Sequence, residues 1–184
     1  MVAATPACAF TETNSNVAAG WSPQMVYGFA PDDLSTLAQV MFRRVRAAGL
    51  DLDASGFAAA CPRLAESSGG HPRHAMTMLR STIMNVIKRG GGAVVGADDL
   101  EAAEQRMREQ LGAGVLGPGY KLLHLVDQAH QLPDDDLASR LFSDGRILVH
   151  PPATGGPHTF HVHPLLRGWV EKVASEQPPH YPGG

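Results

Sequence analysis

The sequence predicts a mainly α protein with one small β-hairpin near its C-terminal end. Three observations carry that expectation. Apolar residues recur at three- and four-residue steps over most of the chain, glycine and proline punctuate those runs, and strand-like alternation is confined to Gly145–Pro164.

The chain has 184 residues, 43% of them hydrophobic, enough for one packed domain or two small ones. A net charge of −3 provides no overall attraction to nucleic acid or to acidic membranes, which call for a basic excess. Cys8 and Cys61 are too few for a disulfide framework and stand in no C-x-x-C spacing, so a reducing cytoplasm is expected. The N-terminal residues lack the basic and apolar regions of a signal peptide, and no apolar run reaches the roughly eighteen residues of a membrane span.

Residues 1–25 are small and polar, with Glu12 as their only charged side chain, and read as a tail or as the end of a preceding unit. From Pro31 a helix is expected with Leu34, Leu37, Met41, Val45 and Ala48 inward. Its first turn is acidic (Asp32, Asp33), its last basic (Arg43, Arg44, Arg46), and Gly49 ends it. A second helix follows Asp53 as N-cap, with Phe57 and Cys61 inward and Pro62 bending or restarting it before the Gly69-Gly70 break. Pro72 suits the first position of a third, whose expected buried stripe is Met76, Leu79, Ile83, Met84 and Ile87, ending at Arg89–Gly92. A fourth, Asp98–Leu111, buries Leu100, Ala103, Met107 and Leu111.

These four helices form a domain over residues 26–112, and the glycine-rich residues 113–119 read as a hinge. Beyond it come helices over about 120–130 and 134–142, two strands around Thr154-Gly155-Gly156-Pro157, and a closing helix over 165–175. Helix, helix, hairpin and helix describe a small winged-helix domain over residues 120–175, followed by a proline- and glycine-rich tail, residues 176–184.

Arg73 is the most unusual candidate for a functional residue. A helix N-terminus carries partial positive charge, so a cation in the first turn costs about 0.3–1 kcal/mol unless it meets an anion. Arg80, seven residues on, falls on nearly the same face, and His74 is close by. The alternatives are a simple exposed arginine and an anion-facing edge.

Other chemistries find less support. The chain has no Gly-Lys dipeptide and cannot form a G-x-x-x-x-G-K-[ST] phosphate loop, so Asp127 in "LLHLVDQ" reads as part of a helix face. No G-x-S-x-G turn marks a nucleophile. His161 and His163 would share a strand face, with His150 across the hairpin, which is a start for zinc or iron, yet no nearby Asp or Glu completes the set. In a winged helix Arg140, Arg146 and His158 could meet DNA or a protein partner. From Pro118 to Glu176, however, five cations stand against seven anions, and Asp134–Asp136 open the would-be recognition helix and would repel phosphates.

The stretch "SGGHPRHAMTMLRSTIMNVIKRGGGAVVGADDLEAA" (Ser68–Ala103) resembles the helical lid of AAA+ and STAND-type P-loop ATPases. There a G-x-x-R segment begins the third lid helix and a (V/I)-T-x-x-D-(L/V)-x-x-A segment the fourth. The matching residues are Gly70-His71-Pro72-Arg73 and Val95–Ala103, with Gly96 in place of the threonine. "APDDLSTLAQVMFRRVRAAGLD" (Ala30–Asp51) is similar to the first lid helix, and "HPLLRGW" (His163–Trp169) to the segment that closes the winged domain, so the likeness spans residues 26–172 in the order of origin-recognition ATPases. It implies that Arg73 is the sensor-2 arginine over the terminal phosphates of ATP, with Gly70, His74 and Arg80 around it. It also implies a P-loop core or like subunits as partners, an effector protein, ATP or ADP with Mg only when such a core is joined, and no ATPase activity from this chain alone. Either the chain is the C-terminal part of a longer ATPase, or it is a free-standing lid and winged helix that docks elsewhere.

Overall fold

The computed structural model describes residues 28–49, 53–90, 94–150 and 157–176. The segment read as tail over 1–25, Thr154–Gly156 of the expected turn, and the tail beyond Glu176 lie outside them. Among the described residues the fold is mainly helical with one two-stranded antiparallel sheet.

A 3-10 turn, Pro31–Asp33, leads into α1 (Leu34–Ala47), which buries Leu37, Ala38, Met41 and Val45. It packs along α2 (Ala54–Ser67), which contributes Phe57, Ala60, Cys61, Leu64 and Ala65. Pro62 neither stops nor restarts α2. Its ring is exposed, and the hydrogen bond it removes belongs to the solvent face of the helix.

In α3 (Pro72–Lys88) the buried stripe is rotated from the expected one. Met84 and Ile87 are 44% and 41% exposed, Met76 and Ile83 are half-buried, and the inward positions are His74, Ala75, Met78, Leu79, Thr82 and Val86. Small and locally satisfied residues win because α3 lies close against α1, α2 and α4. Thr82 loses little by burial, since its hydroxyl donates to the Met78 carbonyl at 3.0 Å.

The connection into α4 (Ala97–Gly112) is held by one carboxylate. Asp99, 5% exposed, accepts the Gly96 N–H at 2.9 Å and pairs with Arg89, which also donates to the Val94 carbonyl at 2.9 Å. A second carboxylate ties α4 to α2. Glu104 receives both arms of Arg63, at 2.9 and 2.8 Å, and the Ser67 hydroxyl at 2.8 Å.

The segment read as a hinge is shorter than expected. Gly117–Gly119 form the first turn of α5 (Gly117–Ala129), because Pro118 needs no donor there and its φ already suits a helix. Helix α6 (Asp136–Ser143) follows, then β1 (Ile147–His150), β2 (Thr159–Val162), a 3-10 turn (Pro164–Leu166) and α7 (Arg167–Glu176). The register pairs Ile147 with Val162 and His150 with Thr159. Ile147, Val149, Phe160 and Val162 therefore share one face, and Leu148, His150, Thr159 and His161 the other. Both halves contribute to one continuous apolar core, from Leu37 in α1 to Val170 in α7.

The α2–α3 corner fastens Phe29, ahead of α1, to the bundle. Gly69 and Gly70 have φ of +59° and +75°, the Gly70 N–H donates to the Ala65 carbonyl, and the Gly70 carbonyl accepts the Phe29 N–H at 2.9 Å. A Cβ at Gly70 would stand 2.3 Å from the Phe29 oxygen. Gly70→Ala is therefore expected to cost about 2 kcal/mol in chemical denaturation. A loss below about 0.5 kcal/mol would mean that Phe29 is free to withdraw.

Candidate functional site

The start of α3 combines two different surfaces. His71 is its N-cap, its Nδ1 accepting the His74 N–H at 3.4 Å, and Pro72 takes the first helical position. Arg73 is exposed and makes no ion pair or hydrogen bond through its guanidinium with any described residue. Arg80 is exposed two turns further on the same face, with Thr77 between them. No carboxylate occurs in the sequence between Glu66 and Asp98, so nothing local on this helix neutralises the pair.

Gly70 and His74 do not belong to that edge. Gly70 is buried and both its backbone groups are already bonded, which makes it a corner residue. His74 lies about 100° around the helix from Arg73, which turns it inward. It is 9% exposed, with its ring 4.1 Å from that of His71 and 5.0 Å from that of His163. Burial, reinforced by His71 and Arg73, lowers its pKa to about 4, so the imidazole is neutral at pH 7.

His163 completes this second surface from the hairpin half. Strand β2 ends at Val162 and Pro164 opens a 3-10 turn, so His163 leaves the face of His161 and becomes an N-cap. Its Nδ1 accepts the Leu165 N–H at 3.3 Å, its backbone N–H donates to the Arg146 carbonyl at 2.9 Å, and its Nε2 is buried with no partner among the described residues. Burial, with His74 and His71 nearby, holds its pKa well below the usual histidine value. Two His-Pro pairs thus start helical turns in different halves and meet across His74.

The metal and DNA candidates separate in space. His161 meets His150 at 5.3 Å and His130 at 4.6 Å between ring centroids, away from His163. Among the described residues no group of three His, Cys, Asp or Glu is placed to hold a metal ion. Arg146 is committed to structure: it donates to the carbonyls of Leu111 and Ala113, both at 2.7 Å, and to Asp144 at 2.7 Å. Arg140 and His158 are exposed, but Asp134–Asp136 stand exposed at the start of α6, where Asp135 caps the helix through Leu137 and Ala138.

Sequence reasoning missed the histidine seam and the Arg63–Glu104–Ser67 network. The His-Pro pair occurs three times, at 71–72, 150–151 and 163–164, and the first and last were the available signal for the seam. Nothing in the sequence marks Arg63 and Glu104, forty-one positions apart, as partners.

No family model, curated protein or solved structure matches this chain. Among the described residues no helix is long and apolar enough to cross a membrane.

Proposed function

We propose that the chain is the lid and winged-helix part of a STAND or AAA+ type ATPase, non-catalytic by itself, which reads a nucleotide phosphate through Arg73. The observation that carries this reading is an exposed arginine in the first turn of α3, unpaired among the described residues, on a helix with no carboxylate of its own. A phosphate opposite it would supply charge-assisted hydrogen bonds of about 1.5–3 kcal/mol, more than the dipole penalty of about 0.3–1 kcal/mol. Arg80 extends the same positive edge. A P-loop core, in a longer chain or a partner, would bring the ATP and Mg, and an effector or like subunits would meet the hairpin half.

The switch would be a population shift. Nucleotide drawing Arg73 toward a core would pull on the α3 N-terminus, and the hairpin half would follow through the contact of His74 with His163. Pivoting would fall to residues 113–116, the part of the linker outside both helices.

The test is MgATP binding and hydrolysis with the wild type and Arg73→Ala. Weak, near-millimolar binding that Arg73→Ala reduces about tenfold, with no turnover, is expected. A steady-state ATPase rate abolished by any substitution in this chain would contradict the reading. DNA binding is the second reading, and the exposed Asp134–Asp136 and the engaged Arg146 both count against it.

A further inference from the structure

The end of α5 brings a histidine and an acid to the hairpin. His130 caps α5 with a φ of +53°, and its carbonyl accepts the Phe160 N–H at 3.1 Å. Its ring therefore lies beside that of His161 in β2. Asp127, one turn earlier on α5, is close enough for its charge to act on His161. Among the described residues neither ring makes a hydrogen bond, and burial keeps His161 in the neutral form that offers a lone pair.

Two imidazoles bound to one tetrahedral zinc ion hold their centroids about 5 Å apart, since each Zn–N bond is about 2.0–2.1 Å. The rings of His130 and His161, 4.6 Å apart and tilted by 45°, stand near that spacing without an ion. His150, 5.3 Å from His161, is less free, because Gly28 closes one edge of its ring: a Cβ there would stand 3.2 Å from Cε1. Asp127 supplies the acid that the hairpin's own sequence lacks. It faces Arg167 at 3.5 Å, a long pair whose arginine is 47% exposed, so the carboxylate turns away at little cost. With Asp127 on Arg167, two ligands are in place and the third is adjacent.

We propose that His130, His161 and Asp127 bind a zinc(II) ion, with water in the fourth position and His150 bracing His161. Two imidazoles and a carboxylate suit zinc, whereas calcium and magnesium call for oxygen ligands alone. A phosphate fits less well, since Asp127 stands inside the cluster. The exposed ring of His130 gives the ion a way in, and the bound ion clamps the end of α5 to β2. The site needs neither Arg73 nor a nucleotide, so it is independent of the phosphate reading above.

The test is calorimetric titration of the full, untagged chain with zinc chloride at about pH 7.5, where free imidazoles are unprotonated, alongside NMR of the histidine rings. The wild type is expected to bind one ion per chain with a dissociation constant on the order of micromolar, the His130 and His161 signals shifting together. His130→Asn keeps a residue that tolerates the left-handed backbone, and it should weaken binding at least about tenfold, as should His161→Gln and Asp127→Asn. His130 is exposed, so its variant tests the site even where His161→Gln unfolds. His124→Gln, which removes a ring that meets Gln128 instead, should bind like the wild type. A wild type that takes up no zinc below millimolar concentration overturns the proposal. So does binding that any of the three ligand variants leaves intact, or ring shifts that centre on His71, His74 and His163.

Discussion

Taking the protein from about pH 7 to about pH 4.5 is expected to remove about 3 kcal/mol of stability or more, through the histidines between its two halves. Above the ordinary histidine value of 6.5 neither the folded nor the unfolded chain carries these protons, and stability is full. Between 6.5 and about 4 the unfolded chain binds a proton at His74 that the folded chain does not, so stability falls as the pH falls. His74 alone accounts for about 2.5 kcal/mol by pH 4.5, since each unit of difference is worth about 1.4 kcal/mol. His163, also lowered, adds to it. Protonation would also end the capping role of Nδ1 in His71 and His163 and place cations at two helix starts. Their charged neighbours, Arg73 and Arg167, oppose uptake as well. Hydrogen bonds hold the Asp53 and Glu104 carboxyls below their ordinary values, so they lose stability in the same direction toward the lower edge of this window. Urea midpoints measured across it should fall steadily with pH, and His74→Phe should flatten the slope by about one proton. A flat profile, or a slope that His74→Phe leaves unchanged, would contradict the seam as described.

Arg146→Met is expected to destabilise the fold by about 3 kcal/mol. The Arg146 side chain is 15% exposed, and its guanidinium ends α4, donating to the Leu111 and Ala113 carbonyls that the helix leaves open. A cation there also suits the negative end of the α4 dipole. The bond to Asp144, which is 53% exposed, contributes little. Methionine keeps much of the stem packing but leaves both carbonyls without their donor. Arg146→Lys should recover only a minor part, because one ammonium cannot reach two carbonyls in the fork geometry. Urea denaturation at neutral pH measures both. A loss below about 1 kcal/mol for Arg146→Met would mean that water replaces the arginine.

How far the sequence could be read depended on which physical signal each element carries. Helices α1 and α4 were legible because large apolar residues mark their inner faces, as Leu37 and Met41 or Leu100 and Met107 do. Helix α3 was legible as a helix but not in phase. Its core face uses Ala75, Thr82 and His74, which no hydrophobic count selects, while Met84 and Ile87 turn outward. The hairpin appeared in the alternation around its turn, yet His163 was grouped with His161 because parity cannot foresee that Pro164 redirects the chain. Arg73 could be singled out as a cation in a first turn. Its separation from His74 follows only once the buried face is known. Arg146 read as a basic residue near a wing, since pairing across thirty-five positions leaves no local trace.

The nucleotide reading stands on one guanidinium, and that group can be observed directly. Arginine side-chain NMR of the full chain, titrated with tripolyphosphate and with MgATP, follows Arg73 and Arg80 separately from Arg63, Arg89 and Arg146, which are engaged in the fold. The expected result is a saturable shift of the Arg73 Nε–H, a smaller one at Arg80, and loss of both responses in Arg73→Ala. An undisturbed Arg73, or shifts that centre on Arg140 and the hairpin, would contradict it.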